Sequence, residues 1–250
     1  VRNSDPSILP EHGQPVRIRH VSEKDDMELA DALLQNNNVT YLELLGTAEY
    51  TNRSAEAMAK YVRTSKRLQR IRWSPTRTAD DQVLHEERLC CFLAAIQEST
   101  SLKELHISFP VTDGPSTLAL ENMLMHTQSL RSFILSTAGR QLEDRAVAAV
   151  SSGLKRNTTL RELTIEFNWG QMNISPLLTS VRDHPLLQKL RFYGSRVNLT
   201  GLETLLLSEN SKITELDIGN TMYGKSPMIG LTSVLQALTH RSTLTELALR

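Results

Sequence analysis

Apolar residues along this chain fall into one short frame: an apolar position, two others, a second apolar position, one other, and a third. The frame occurs eight times, as Val39…Leu42…Leu44, Leu68…Ile71…Trp73, Leu102…Leu105…Ile107, Leu130…Phe133…Leu135, Leu160…Leu163…Ile165, Leu187…Leu190…Phe192, Ile213…Leu216…Ile218 and Leu244…Leu247…Leu249. Its first positions lie 29, 34, 28, 30, 27, 26 and 31 residues apart. An apolar frame kept at a period of roughly 20 to 50 residues marks a repeat solenoid, whose units bury their cores against one another.

Within each frame apolar and polar positions alternate, as in a short strand with one buried side. Apolar residues spaced by three and four precede it and predict a helix with one buried face. They are Leu29, Ala30, Leu33 and Leu34 before the first frame, and Met58, Ala59 and Val62 before the second. Phe92, Leu93 and Ile96 precede the third, and Val234, Leu235 and Leu238 the last. Three places ahead of the frames stand Asn36, Ser65, Ser99, Thr127, Asn157, His184, Asn210 and Arg241, polar residues at which a helix stops and a strand begins. The unit is therefore helix, turn, strand, loop. Strands reached through such helices run parallel. Strands stack more closely than helices, so the array bends with strands inside, and seven steps of ~4.8 Å give an inner face about 34 Å long.

The frame, the period near 29 and the helix ahead of each strand resemble the ribonuclease-inhibitor-like class of leucine-rich repeats, over about residues 27–250. The resemblance implies an α/β solenoid of about eight repeats, a curved horseshoe with a parallel concave sheet and convex helices. The chain departs from the family pattern where Asn or Cys follows the strand. Those positions hold Thr47, Thr76, Pro110, Ala138, Asn168, Ser195 and Thr221, and the next apolar residue is displaced at Leu142, Met172 and Leu199. The loops leaving the strands are expected to be degenerate. Residues 1–26 lack the full frame; Ile8, Val16 and Ile18 fit either an edge strand capping the first helix or the ragged end of an earlier repeat. The chain stops at Leu249-Arg250 within a strand motif, so the repeat domain, 27–250, is expected to continue further. The stretch from Ser74 to Asp81, within the longest interval, is expected to protrude as a polar loop.

Between the buried positions, three side chains per strand are expected on the concave side. Basic ones cluster on the second to sixth strands, while the last two carry only acids. Pairing would set Lys103, Arg131 and Arg161 side by side, with Arg70 and Arg72 on one flank and Lys189 and Arg191 on the other. With His106 and the rim residue Tyr193 they form the candidate partner-binding set, a positive patch for an acidic segment of a protein partner. The competing reading is a solvated face on which Glu104 and Glu162 neutralise their neighbours. Trp169 also falls near the rim, Phe109 and Phe167 are expected to turn inward, and Trp73 sits at a core position.

Charge and chemistry narrow the function further. Lys plus Arg and Asp plus Glu are 28 each, so no global field favours nucleic acid or an anionic membrane. No apolar run approaches the ~20 residues that cross a bilayer. The two cysteines, Cys90 and Cys91, are adjacent and suit a reducing compartment, cytoplasmic or nuclear. One is expected to pack and the other to be partly exposed at the start of a helix, with Arg88 the nearest candidate to lower a thiol pKa. Of five Asn-x-Ser/Thr triplets, those at Asn38 and Asn157 fall on turn positions and read as structural. His85-Glu86-Glu87 lacks the second His of a zinc-protease helix, and no phosphate loop or nucleophile elbow occurs. No enzyme activity, cofactor or metal is therefore expected. The chain reads as a binding module. Members of the resembled class include the sensor arcs of NOD-like receptors and the Ran GTPase-activating proteins, but no residues characteristic of the latter are found. A purely structural spacer is the remaining reading.

Overall fold

Each alternating frame forms a strand and each amphipathic stretch a helix, in the predicted order. The computed structural model describes residues 16–19, 31–35, 38–45, 52–74, 82–108, 114–136, 144–198, 200–219, 231–240 and 243–249. The strands are β1 (Val16–Arg19), β2 (Tyr41–Leu45), β3 (Arg70–Ser74), β4 (Glu104–Ser108), β5 (Ser132–Ser136), β6 (Glu162–Asn173), β7 (Lys189–Asn198), β8 (Glu215–Gly219) and β9 (Glu246–Leu249). The helices are α1, described over 31–35, then α2 (Asn52–Thr64), α3 (Gln82–Glu98), α4 (Pro115–His126), α5 (Asp144–Arg156), α6 (Ser175–Val181), α7 (Leu202–Leu207) and α8 (Leu231–His240). Among the described residues the sheet has nine strands in sequence order, every neighbouring pair parallel. This is a repeat solenoid of the α/β class.

The core lies between the helix side of the sheet and the helices. In the first seven frames all three apolar positions are buried, from Trp73 at 6% exposure to Leu163 at 0%. Met58, Ala59, Val62, Phe92, Leu93 and Ile96 meet them from the helices. Trp73 is core as expected and packs against Phe92 with ring centroids 4.7 Å apart. One expected contact moves: Leu235 is 51% exposed, and Ala237 faces the core of the last helix instead.

Two features go beyond the eight frames. Val16 pairs with Leu42 and Ile18 with Leu44, so β1 is an edge strand carrying the frame's second and third apolar positions. Its first position would be residue 13, a glycine, which hides this copy from a search for the frame. Farther along, β6 and β7 outrun their frames. Pairing continues from Gln171↔Arg196 to Asn173↔Asn198 after a register shift between Phe167 and Gln171. Asn168 and Ser195, expected in degenerate loops, therefore lie within strands, as does Met172. The helices that follow have only 7 and 6 residues, because these repeats are the shortest and spend residues on the longer strands. Thr47, Pro110, Ala138, Thr221, Leu142, Leu199, Phe109 and the insertion over 75–81 lie outside the described residues.

Four of the turns ahead of the strands carry a structural device. Ser65, Ser99, Asn157 and His184 are all buried and present an acceptor to the amide that opens the frame. Leu68 N–H donates to Ser65 Oγ (3.2 Å), Leu102 N–H to Ser99 Oγ (3.4 Å), Leu160 N–H to Asn157 Oδ1 (2.8 Å) and Leu187 N–H to His184 Nδ1 (3.0 Å). Asn157 Nδ2 also donates to the Leu124 carbonyl of the preceding repeat at 2.6 Å. At 1% exposure this Asn is structural, as its turn position implied. Hydroxyls one place before the frame tie repeats together: Ser101 Oγ donates to the Ser65 carbonyl and Ser129 Oγ to the Ser99 carbonyl, both at 2.7 Å. These links satisfy backbone groups that a buried turn would otherwise strand.

Candidate interaction surface

Side chains of the strands that do not face the helices form registered rows across the sheet. The inner row runs Tyr41, Arg70, Glu104, Ser132, Glu162, Lys189, Glu215 and Glu246. Beside it run Glu43, Arg72, His106, Ile134, Thr164, Arg191, Asp217 and Ala248. Five of the candidate residues, Arg70, Arg72, His106, Lys189 and Arg191, stand in these two rows. Tyr193 belongs to a third, beside Glu166 and Gly219.

In the inner rows charges meet their opposites. Arg70 makes a two-pronged pair with Glu104, at 2.9 and 2.5 Å, and lies 5.2 Å above the Tyr41 ring. Arg72 reaches the buried Glu43 at 3.3 Å. At the other end Lys189 sits between Glu215 (3.0 Å) and Glu162 (3.7 Å), and Arg191 lies 3.6 Å from Glu215. Tyr193 donates its hydroxyl to Asp217 Oδ2 at 2.7 Å. Gly219 permits that pose: a Cβ there would sit 2.7 Å from the Tyr193 ring. The glycine had no signal in the sequence that tied it to the site, and Glu215 was marked only as one of the acids expected on the concave side of the last two strands.

Between these flanks lies an uncharged strip, bordered on β6 by Glu162, whose Oε2 accepts from Ser132 Oγ at 3.4 Å. Ser132, Ile134 and Thr164 occupy β5 and β6, with His106 beside them on β4. Burial, with Arg72 nearby and Glu43 opposing, pushes the His106 imidazole down to about 4, so it is neutral at physiological pH. Its Nε2 is buried without a hydrogen-bond partner among the described residues. Of the nine candidates, His106 thus contributes a polar, uncharged edge.

Lys103, Arg131 and Arg161 stand in a different row, where the strands start. Arg131 N–H donates to the Lys103 carbonyl at 2.7 Å and Arg161 N–H to the Arg131 carbonyl at 2.8 Å, so the three are neighbours on successive strands. Arg131 Nη1 also donates to the Thr159 carbonyl (2.9 Å), which holds its guanidinium along the edge of the sheet. Among the described residues none of the three joins an ion pair with a carboxylate. The cationic candidates thus divide between ion-paired inner rows and a strand-start row without carboxylate partners among the described residues.

Other candidate chemistry is subdued. Both cysteines lie in the middle of α3, which begins at Gln82, and not at a helix start; Cys91 packs against the core and Cys90 is partly exposed, as expected. Burial and Glu86 push the Cys90 thiol up, and burial and Glu56 push Cys91 up, against the lowering that Arg88 would have supplied. Among the described residues no group of three or more His, Cys, Asp and Glu could hold a metal ion, and no helix is long and apolar enough to cross a membrane. Phe167 and Trp169 lie within β6, with their side chains outside the described residues. No family model matches the chain, and no curated protein matches it.

Proposed function

We propose that this chain is a non-catalytic arc of leucine-rich repeats, related to the ribonuclease-inhibitor-like class, that recognises a protein partner on its concave face inside the cell. One observation carries the reading: a preformed floor without charge, Ser132, Ile134 and Thr164, lies between two flanks whose charged side chains are held in cross-strand pairs. A partner reaching the floor displaces little bound charge, while the flanks supply oriented hydrogen-bonding groups at its rim, as in interfaces with an apolar centre and a polar border. Side chains already held by neighbours lose less freedom on binding than free ones.

The test is parallel capture with the parent and with a variant carrying Ile134→Asp, Arg72→Glu and Arg191→Glu, after thermal melting has shown that the variant folds. A partner kept by the parent and lost by the folded variant supports the concave-face reading. Identical partner lists overturn it.

A further inference from the structure

On the inner rows of this sheet, cations alternate with carboxylates or are set apart by neutral residues. The strand-start row breaks that pattern. Lys103, Arg131 and Arg161 follow one another immediately ahead of β4, β5 and β6, joined through consecutive backbone hydrogen bonds, with no carboxylate paired to any of them among the described residues. Like charges directly across from one another destabilise a strand pair, and three in succession destabilise two pairs at once. All strands are parallel and each is preceded by a helix, so the turns into the strands share this edge. There the exposed Lys66 and Arg67 extend the positive line one repeat back, and the exposed Arg156 lies at the end of α5. Among the described residues the Arg67 and Arg156 guanidinium groups donate to neutral acceptors, Asn38 Oδ1 at 3.1 Å and Met125 Sδ at 3.6 Å. Glu98, at the end of α3, is occupied by Arg63 at 2.7 Å. A chain of zero net charge thus concentrates unpaired positive charge along one edge.

We infer that the edge where β3 to β6 start binds an acidic segment of a polypeptide, a contact line separate from the concave floor. The inference rests on reading the chain as a binding module and adds to it the charge of what that edge takes. Spacing supports a polypeptide. Four successive repeats present cations over three strand steps, about 14 Å at ~4.8 Å each, and an extended run of about four residues covers a similar length at ~3.3–3.6 Å per residue. Arginine forks at Arg131 and Arg161 suit carboxylates, and Arg131 is already oriented by the Thr159 carbonyl. A single nucleic-acid strand gains its non-specific affinity from base stacking as well as charge, and the row Thr40, Gln69, Lys103, Arg131, Arg161, Gln188 holds no aromatic side chain.

The probe is a fluorescein-labelled peptide of about eight consecutive glutamates, read by anisotropy at about 50 mM salt. The parent should bind it, K103Q/R131Q/R161Q should bind it at least about tenfold more weakly, and K60Q/R145Q, which alters cations on the helices, should change affinity less than about twofold. Raising salt should weaken the parent far more than the triple variant. Glutamine removes the positive charge while retaining a flexible stem with an N–H donor, so with like-charge repulsion relieved the triple variant should melt no lower than the parent at low salt. A lower melting temperature would assign the row to folding and sink the inference. So would an unbound peptide, an unchanged affinity in the triple variant, or a short oligothymidylate that binds the same row more tightly than the peptide. This assay leaves the concave floor intact, so its failure is distinct from failure of the Ile134 capture test.

Discussion

The inner rows and the strand-start row of this sheet lie one residue apart along each strand, yet they handle charge in opposite ways. At Arg70–Glu104 and at Glu162–Lys189–Glu215 the register sets opposite signs across neighbouring strands, and the side chains pair. At Lys103–Arg131–Arg161 it sets like signs together. The backbone geometry is the same in both places, so the difference is written in the side chains alone. The teaching is that a net charge of zero says little about a solenoid. Its periodic register can sort charge into neutral and positive lines only a few ångströms apart, and a partner meets the lines rather than the sum.

The comparison can be broken hardest at the neighbouring buried column. Leu163 is 0% exposed two residues after the exposed Arg161. Leu163→Asp places an unpaired carboxylate in the core and should cost about 3–5 kcal/mol, whereas Arg161→Glu should stay within about 0.5 kcal/mol. Urea denaturation of the two variants checks this. A Leu163→Asp protein as stable as the parent would mean that the register is misassigned.

An effect of intermediate size sits in the turns that support the strand-start edge. His184 is 3% exposed and accepts amide protons from Leu186 and Leu187 through Nδ1, which it can do only when neutral. Burial pushes its pKa down from 6.5 to about 4. Between those values the unfolded chain binds a proton that the folded chain refuses, so stability is full above about pH 6.5 and falls as pH drops towards 4. At ~1.4 kcal/mol per unit the loss reaches about 3 kcal/mol from this residue, alongside a similar contribution from His106, whose pKa is also about 4. His184→Asn places an amide oxygen where Asn157 already uses one in its own repeat. The variant should match the parent at pH 7 and lose stability less steeply on acidification, as read from urea midpoints at pH 7 and 4.5. Parallel slopes would refute the assignment.

The smallest effect belongs to the inner pairs. Arg70 and Glu104 have side chains 50% and 46% exposed, so Arg70→Ala should cost under about 1 kcal/mol, and less at high salt. A larger loss in thermal melts would mean that the pairs hold the sheet together instead of merely neutralising it.

Much of this architecture was legible beforehand. The frame places Leu68, Leu105, Phe133 and Leu163 in the core, because an alternating apolar pattern has only one face to bury. The turn positions at Ser65, Ser99, Asn157 and His184 were visible as polar residues at a constant offset, although their work as acceptors for the next strand's first amide was not. Val16 and Ile18 were legible as a possible edge strand, but with Gly13 at the frame's first position only their pairing with Leu42 and Leu44 shows that β1 carries the frame's second and third positions. The extensions of β6 and β7 were equally hidden, since Asn168 and Ser195 carry no strand signal by themselves and lie in strands that pair with each other. For the candidate surface, sequence put Lys103, Arg131 and Arg161 together and named Glu104 and Glu162 as neutralisers. It did not separate the rows, assign Glu215 to Lys189 and Arg191, or mark His106 as uncharged.

By itself, then, the sequence determined the repeat, its parallel order and its buried columns, and set Lys103, Arg131 and Arg161 side by side. Those follow from local periodicity, which each repeat carries in its own residues. Only the tertiary structure decided which charges are paired, where strands outrun their frame, and which imidazoles are forced to stay neutral. Those depend on distances between side chains about 30 residues apart in the chain, set when neighbouring repeats stack and exclude water between them.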